Sequence, residues 1–198
     1  MKFFGKNPDS EILMENLTYQ ENRSENNRRI KEILIQEQHN FCAYTEKYFD
    51  PLDSVEVEHF DSSIKYIDNY FNYYAVLRKP NLYKKDEAYK NAPFFASRFF
   101  QNIEELNLRI RYAAGDYVFE EVDEEDEEAK DFIDFLGLNY HDLVEARKRH
   151  VNRLADIFRT SGFLEPEILE YFHRNQAELS FITVLENELQ INLSEFYT

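Results

Sequence analysis

Between residues 22 and 38 the apolar positions Ile30, Ile33, Leu34 and Ile35 recur at helical spacing with Arg and Lys between them. That pattern predicts an amphipathic helix running into Phe41. Residues 1–10 show no such period and read as a loosely held leader. At residue 41 the texture changes. In SVEVEHF (54–60) Val55, Val57 and His59 alternate with Glu56, Glu58 and Phe60, the period of a strand. YYAVL (73–77) is a second β-prone run, and an irregular polar loop separates the two. Helical spacing resumes near Asn91. A helix is expected over 92–110, with Pro93 near its start and FFASRFF serving as core packing. A short strand is expected in DYVFEEV (116–122), then a helix over 127–136 closed by Gly137 at its C′ position. The stretch 140–160 reads as a long amphipathic helix with Leu143, Ala146, His150, Leu154 and Ile157 or Phe158 along one side. Pro166 suits the first turn of a helix over 165–172, and 179–189 forms the last one. The chain shows no internal repeat. The expected fold class is α+β, predominantly α-helical, with a small ββα module embedded in helices. Its organisation is a helical lead-in over 1–40, the ββα module over 41–90, and a helical region with one short strand over 91–198.

Composition supports long helices, since 198 residues hold only 4 Gly and 5 Pro beside 18 Phe and 14 Tyr. No apolar run approaches the length that crosses a bilayer, and MKFFGKNPDSEILMENL lacks the order of a secretory leader. With a single Cys, no internal disulfide and no multi-Cys metal knuckle can form. A cytoplasmic protein is expected. The formal net charge of −16 counts against nucleic-acid binding, because phosphates need Lys and Arg nearby. The charge is uneven, however. EEVDEEDEE (120–128) alone holds eight acidic residues, expected as a solvated loop or helix start, or else as a shield or docking surface for a basic partner. Basic clusters remain at Arg23/Arg28/Arg29/Lys31, Lys84/Lys85, Arg109/Arg111 and Arg147/Lys148/Arg149/Arg153. Charges are screened over roughly 8 Å at physiological salt, so a basic groove can coexist with an acidic back.

The middle block carries the chemistry-bearing residues. It reads Cys42-Ala43-Tyr44-Thr45-Glu46, then Val57-Glu58-His59-Phe60, then Asn72-Tyr73, then Leu77-Arg78-Lys79-Pro80-Asn81-Leu82-Tyr83-Lys84. This order resembles the HNH (ββα-metal) endonuclease family, most closely the branch found with retrons and with the ATPase of Septu-type anti-phage systems. That branch has Cys-x-Tyr-Cys-Glu, then Glu-His-Phe, then Asn-Leu followed by Cys-x-x-Cys-Asn-x-x-Lys. Counting from Asn72, Leu77, Pro80, Asn81 and Lys84 fall five, eight, nine and twelve residues on, in register with the pattern. The lead-in Ile33-Leu34-Ile35-Gln36-Glu37-Gln38 and the later Phe135-Leu136-Gly137-Leu138-Asn139 also look like that branch. Most of the chain is covered, although only 41–86 carries motifs. Of the thiolates expected to hold a structural zinc, only Cys42 remains; Thr45, Leu77 and Pro80 stand at the other positions. One sulfur cannot close a tetrahedral zinc site, so no structural zinc is expected. Packing of Phe41, Tyr44, Leu77 and Tyr83 is expected to offset its loss.

The resemblance implies a metal-dependent endonuclease hydrolysing DNA phosphodiesters, with RNA left open because the bond is the same. In that reading His59 is the general base and Asn72 orients it, while Glu58 and Asn81 ligate a Mg²⁺- or Mn²⁺-type ion. His59, Asn72 and Asn81 are expected to converge on one point. Lys84, Lys85, Arg147 and Lys148 are candidate nucleic-acid contacts. The implied setting is anti-phage defence, with an ATPase or other defence protein as partner. A second reading remains open: a catalytically inactive HNH scaffold that docks a partner protein, in line with the acidic charge, the lost zinc site and the large helical remainder.

Overall fold

The computed structural model describes residues 1–198 except Asn22 and Asp68. The predicted helix start at Asn22, and one position of the predicted polar loop, therefore lie outside the described residues. The chain folds as a predominantly helical α+β protein with two antiparallel two-stranded sheets. After a short α1 (Glu11–Met14) comes α2 (Ser24–Glu37), which buries Ile30, Ile33 and Leu34, the stripe that its spacing predicts. Strands β1 (Val55–His59) and β2 (Tyr73–Leu77) pair antiparallel with Val57 opposite Ala75 and His59 opposite Tyr73, and α3 (Arg78–Asn81) follows directly. Gln38, at the end of α2, closes the outer edge of β2. Its amide nitrogen donates to the Phe41 and Ala75 carbonyls at 2.8 Å each, and its oxygen accepts from the Ala75 N–H at 2.8 Å. The side chain thus satisfies backbone groups that a third strand would otherwise pair.

The helix expected over 92–110 is broken. Phe94–Ser97 forms α4, Arg98 sits at φ 48°, and Asn102 caps α5 (Ile103–Arg109) by accepting from the Glu104 and Glu105 N–H groups. Phe94, Phe99 and Phe100 explain the break, since all of them are buried. At about 100° per residue these positions would spread around a continuous helix, so the turn at Arg98 is what lets them share one core. The same chain continues into β3 (Ile110–Ala113), paired with β4 (Val118–Glu121) in an antiparallel sheet of which the sequence pattern foresaw only the second strand.

Helix α6 (Glu127–Phe135) ends as expected, with Gly137 at φ 61°. A Cβ at Gly137 would come within 2.8 Å of Tyr83 Cβ, so close packing as well as conformation requires glycine there. The acidic run is structural at its core. Asp126 caps α6 by accepting from the Ala129 N–H at 3.0 Å, and Arg109 donates to both its oxygens at 2.6 and 2.5 Å. Helix α7 (His141–Ser161) buries Leu143, Arg147, Val151, Leu154 and Phe158, a stripe shifted from the predicted one. The chain closes with α8 (Glu165–Arg174), which has Pro in its first turn, and α9 (Ile182–Leu189).

Two apolar clusters hold these elements. The first combines Phe4, Ile30, Tyr44, Tyr74, Phe94 and Phe132, so all three sequence segments contribute to one core. The second joins Phe3 and Phe41 to the helices after residue 141. The expectation of a loose leader over 1–10 is therefore corrected. Phe4 is fully buried among the rings of Tyr44, Tyr74, Phe100 and Phe132, and Phe3 stacks on Phe41 at 4.5 Å. Adjacent aromatics carry no periodicity, yet each buried ring contributes roughly 1.5–3 kcal/mol. Among the described residues no helix is long and apolar enough to cross a membrane.

Candidate functional site

Strand alternation puts Glu58 and His59 on opposite faces of the hairpin. Glu58 faces α3 and the segment after it. The Asn81 amide donates to Glu58 Oε2 at 2.8 Å, and the Lys84 ammonium binds Glu58 Oε1. Lys84 also donates to the His59 and Phe60 carbonyls at 2.9 and 3.1 Å and lies 3.1 Å from Asp86 Oδ1. Its side chain is 2% exposed. Lys84 therefore draws Glu58, Asp86 and the carbonyl end of β1 around a single cation. It is not a free phosphate contact, which corrects the expectation for that residue.

His59 ends β1 on the other face. Its ring meets Tyr19 at 4.8 Å and its cross-strand neighbour Tyr73 at 5.3 Å, both edge-on. The Tyr73 hydroxyl in turn accepts from the Tyr19 N–H at 3.1 Å, so the two rings flanking the imidazole are tied together. Asn72 is 1% exposed and clamps the chain just beyond His59. Its Oδ1 accepts from the Asp61 N–H at 2.9 Å, its Nδ2 donates to the Asp61 carbonyl at 3.0 Å, and its own carbonyl accepts from the Phe60 N–H at 2.9 Å. These bonds fix the exit of β1 and hence the backbone that carries the imidazole. Asn81 meets Glu58, Asn72 holds the turn at Asp61, and His59 is the last residue of β1.

The oxygens around Lys84 suit a hard divalent cation, because they comprise two carboxylates and two backbone carbonyls. Among the described residues no group of three or more His, Cys, Asp or Glu is placed to hold a metal ion. The protein's own donors would be the Glu58 carboxylate and the Asn81 amide oxygen, with Asp86 engaged by Lys84. Sequence reasoning passed over Asp86 and Asp61. Their signal was position alone, two residues beyond Lys84 and two beyond His59.

Four positions carry the sequence's resemblance to a zinc knuckle: Cys42, Thr45, Leu77 and Pro80. The Leu77 N–H points to Cys42 Sγ at 3.4 Å, and Thr45, Leu77 and Pro80 line a groove of about 860 Å³ against α7. Cys42 is fully buried, and that burial pushes its thiol pKa up, which disfavours the thiolate a metal needs. Of the other basic candidates, Lys85 pairs with Asp134 at 2.5 Å and Lys148 is exposed on α7. Arg147 is corrected. It is fully buried, donates to the Leu138 and Tyr117 carbonyls at 2.8 and 3.2 Å, and lies over the Phe119 ring. Burial lowers its pKa to about 10, still far above neutrality, so it is a core cation that organises the start of α7.

The chain matches no family model, no curated protein and no solved structure.

Proposed function

We propose that the chain is a metal-dependent endonuclease of the HNH type that hydrolyses DNA phosphodiesters. The observation that carries this reading is the contact of Asn81 with Glu58 at 2.8 Å, one residue from the imidazole at the end of β1. The hairpin-then-helix order and the Asn72 clamp behind His59 agree with it. Glu58 and Asn81 would hold a Mg²⁺- or Mn²⁺-type ion, which when bound supplies charge neutralisation at the scissile phosphate and leaving oxygen. His59 takes the proton from water, Tyr19 and Tyr73 limit its rotation, and the Asn72–Asp61 bonds keep the strand end from shifting. Lys84 holds the Glu58 carboxylate in place. The family resemblance adds anti-phage defence as the setting and an ATPase-type partner as the regulator.

The test is nicking of plasmid DNA by purified protein with and without added Mg²⁺ or Mn²⁺. His59→Ala should lower the rate by about 10²–10⁴-fold while leaving the thermal midpoint unchanged. Cleavage by that variant at the wild-type rate sinks the assignment. The scaffold reading gains from one observation, the sequestration of Lys84 and Arg147 away from solvent. Calorimetry separates the two, because a docking scaffold has no reason to bind Mn²⁺ in a manner lost on Glu58→Gln.

A further inference from the structure

Lys84 is enclosed by the candidate site, its side chain 2% exposed. Its ammonium binds Glu58 Oε1 and donates to the His59 and Phe60 carbonyls at 2.9 and 3.1 Å, which uses all three of its hydrogens. The cluster holds more oxygens than that. Asp86 Oδ1 lies 3.1 Å from the same nitrogen, is buried, and receives no hydrogen bond. The Tyr44 hydroxyl is also buried without a hydrogen-bond partner, and the charges of Glu58 and Asp86 reach it. Buried polar atoms left over in this way are uncommon and call for an explanation. A hard divalent ion supplies one, because it takes about six oxygens where an ammonium serves three.

The cluster is also closed from both sides. Each oxygen of Glu58 is engaged by an N–H donor, Oε1 by Lys84 and Oε2 by Asn81 at 2.8 Å. An ion that shared Glu58 with the ammonium would stand beside a like charge in a buried place and be repelled. The two cations therefore exclude each other. The ammonium can withdraw without breaking a helix or a strand, since Lys84 lies between α3 and α4 and carries its charge on a flexible four-carbon stem. Resting on the nuclease reading above, we infer that the Lys84 ammonium is a tethered plug in the metal site. It fills the cation position bounded by Glu58, Asp86 and the His59 and Phe60 carbonyls, and a divalent ion enters only as Lys84 leaves. Asp86 is then a ligand of the loaded site, and the protein without an ion is held closed.

Two measurements on the full chain test the plug, with Mn²⁺ as the probe. The first is labelling of lysine amines by an acylating reagent, read peptide by peptide in a mass spectrometer. Bound Mn²⁺ should raise the labelling rate of Lys84 by about tenfold or more over the rate in EDTA, while Lys148, exposed on α7, labels at the same rate in both. The second is calorimetry. Lys84→Met removes the competitor and should bind Mn²⁺ at least about tenfold tighter than the wild type. Lys84→Arg keeps a cation and should show no such gain, and Asp86→Asn added to Lys84→Met should abolish it. Lys84 labelling unmoved once Mn²⁺ is bound overturns the plug. So does a folded Lys84→Met protein that binds Mn²⁺ no tighter than the wild type, or binds none; if that variant fails to fold, the labelling decides. Nicking assays on the same samples keep the two readings apart. Release of Lys84 by Mn²⁺ without nicking removes the nuclease and leaves the plug. Mn²⁺-dependent nicking with Lys84 protected throughout removes the plug and leaves the nuclease.

Discussion

Asn72 shows how one buried side-chain amide can fix a turn. Its amide replaces two backbone partners that the Asp61 N–H and carbonyl lack in a turn too tight for a ladder. Asn72→Ala strands both groups in a buried place, which should cost roughly 2–3 kcal/mol of stability. Urea denaturation measures that cost, and nicking should fall with it as the end of β1 loosens. The residue scale is also where sequence reading succeeded and failed most sharply. The alternation around Val57, Glu58 and His59 was legible because a strand's period is written in residue types. Glu58 and Asn81 were paired in the sequence only as joint ligands of an ion, through the resemblance; their direct hydrogen bond at 2.8 Å is visible only in three dimensions. Arg147 was illegible: a charged side chain reads as an outward face, and only three-dimensional packing reveals the carbonyls of Leu138 and Tyr117 waiting for it.

At the scale of elements, helices were foreseen wherever one face alone is apolar, as in α2 and α6. The pattern failed between residues 92 and 113, where crowded aromatics must all reach one core, so packing overrides period. Helix α7 carries a histidine whose burial ties stability to pH. His150 Nε2 donates to the Glu178 carbonyl at 2.9 Å, and the Arg153 guanidinium stands 3.4 Å from Nδ1, so the ring is held neutral. Burial, the largest cause, lowers its pKa below the usual 6.5, while the Glu178 carboxylate at 3.8 Å from Nδ1 opposes the shift. The unfolded chain then takes up the proton first, so stability is full above pH 6.5 and declines as pH falls through and below it. His150→Gln keeps a donor for Glu178 and removes the titration. Its thermal midpoint should change less than that of the wild type between about pH 7.5 and about pH 5.5.

On the scale of the whole molecule, residues far apart in sequence close the structure. Phe4 fills a hole bounded by rings from four separate segments, so Phe4→Ala should cost about 3–5 kcal/mol, and chemical denaturation would reveal a near-neutral result as an error in this packing. Lys2 reaches across to Glu186 at 2.9 Å and to the Tyr197 hydroxyl at 3.0 Å. Glu46, 1% exposed, accepts from the Thr183 N–H at 3.0 Å and the Thr183 hydroxyl at 2.9 Å, capping α9 from 137 residues away. That last bond sets an order of events during synthesis. The hairpin bearing His59 leaves the ribosome long before α9 exists, and until then the Glu46 carboxylate has no helix to cap and the second core has no floor. Chains stalled anywhere between β2 and α9 should thus remain protease-sensitive, with their apolar surface in the care of chaperones. A chain with this topology completes its second core only once α9 has been made.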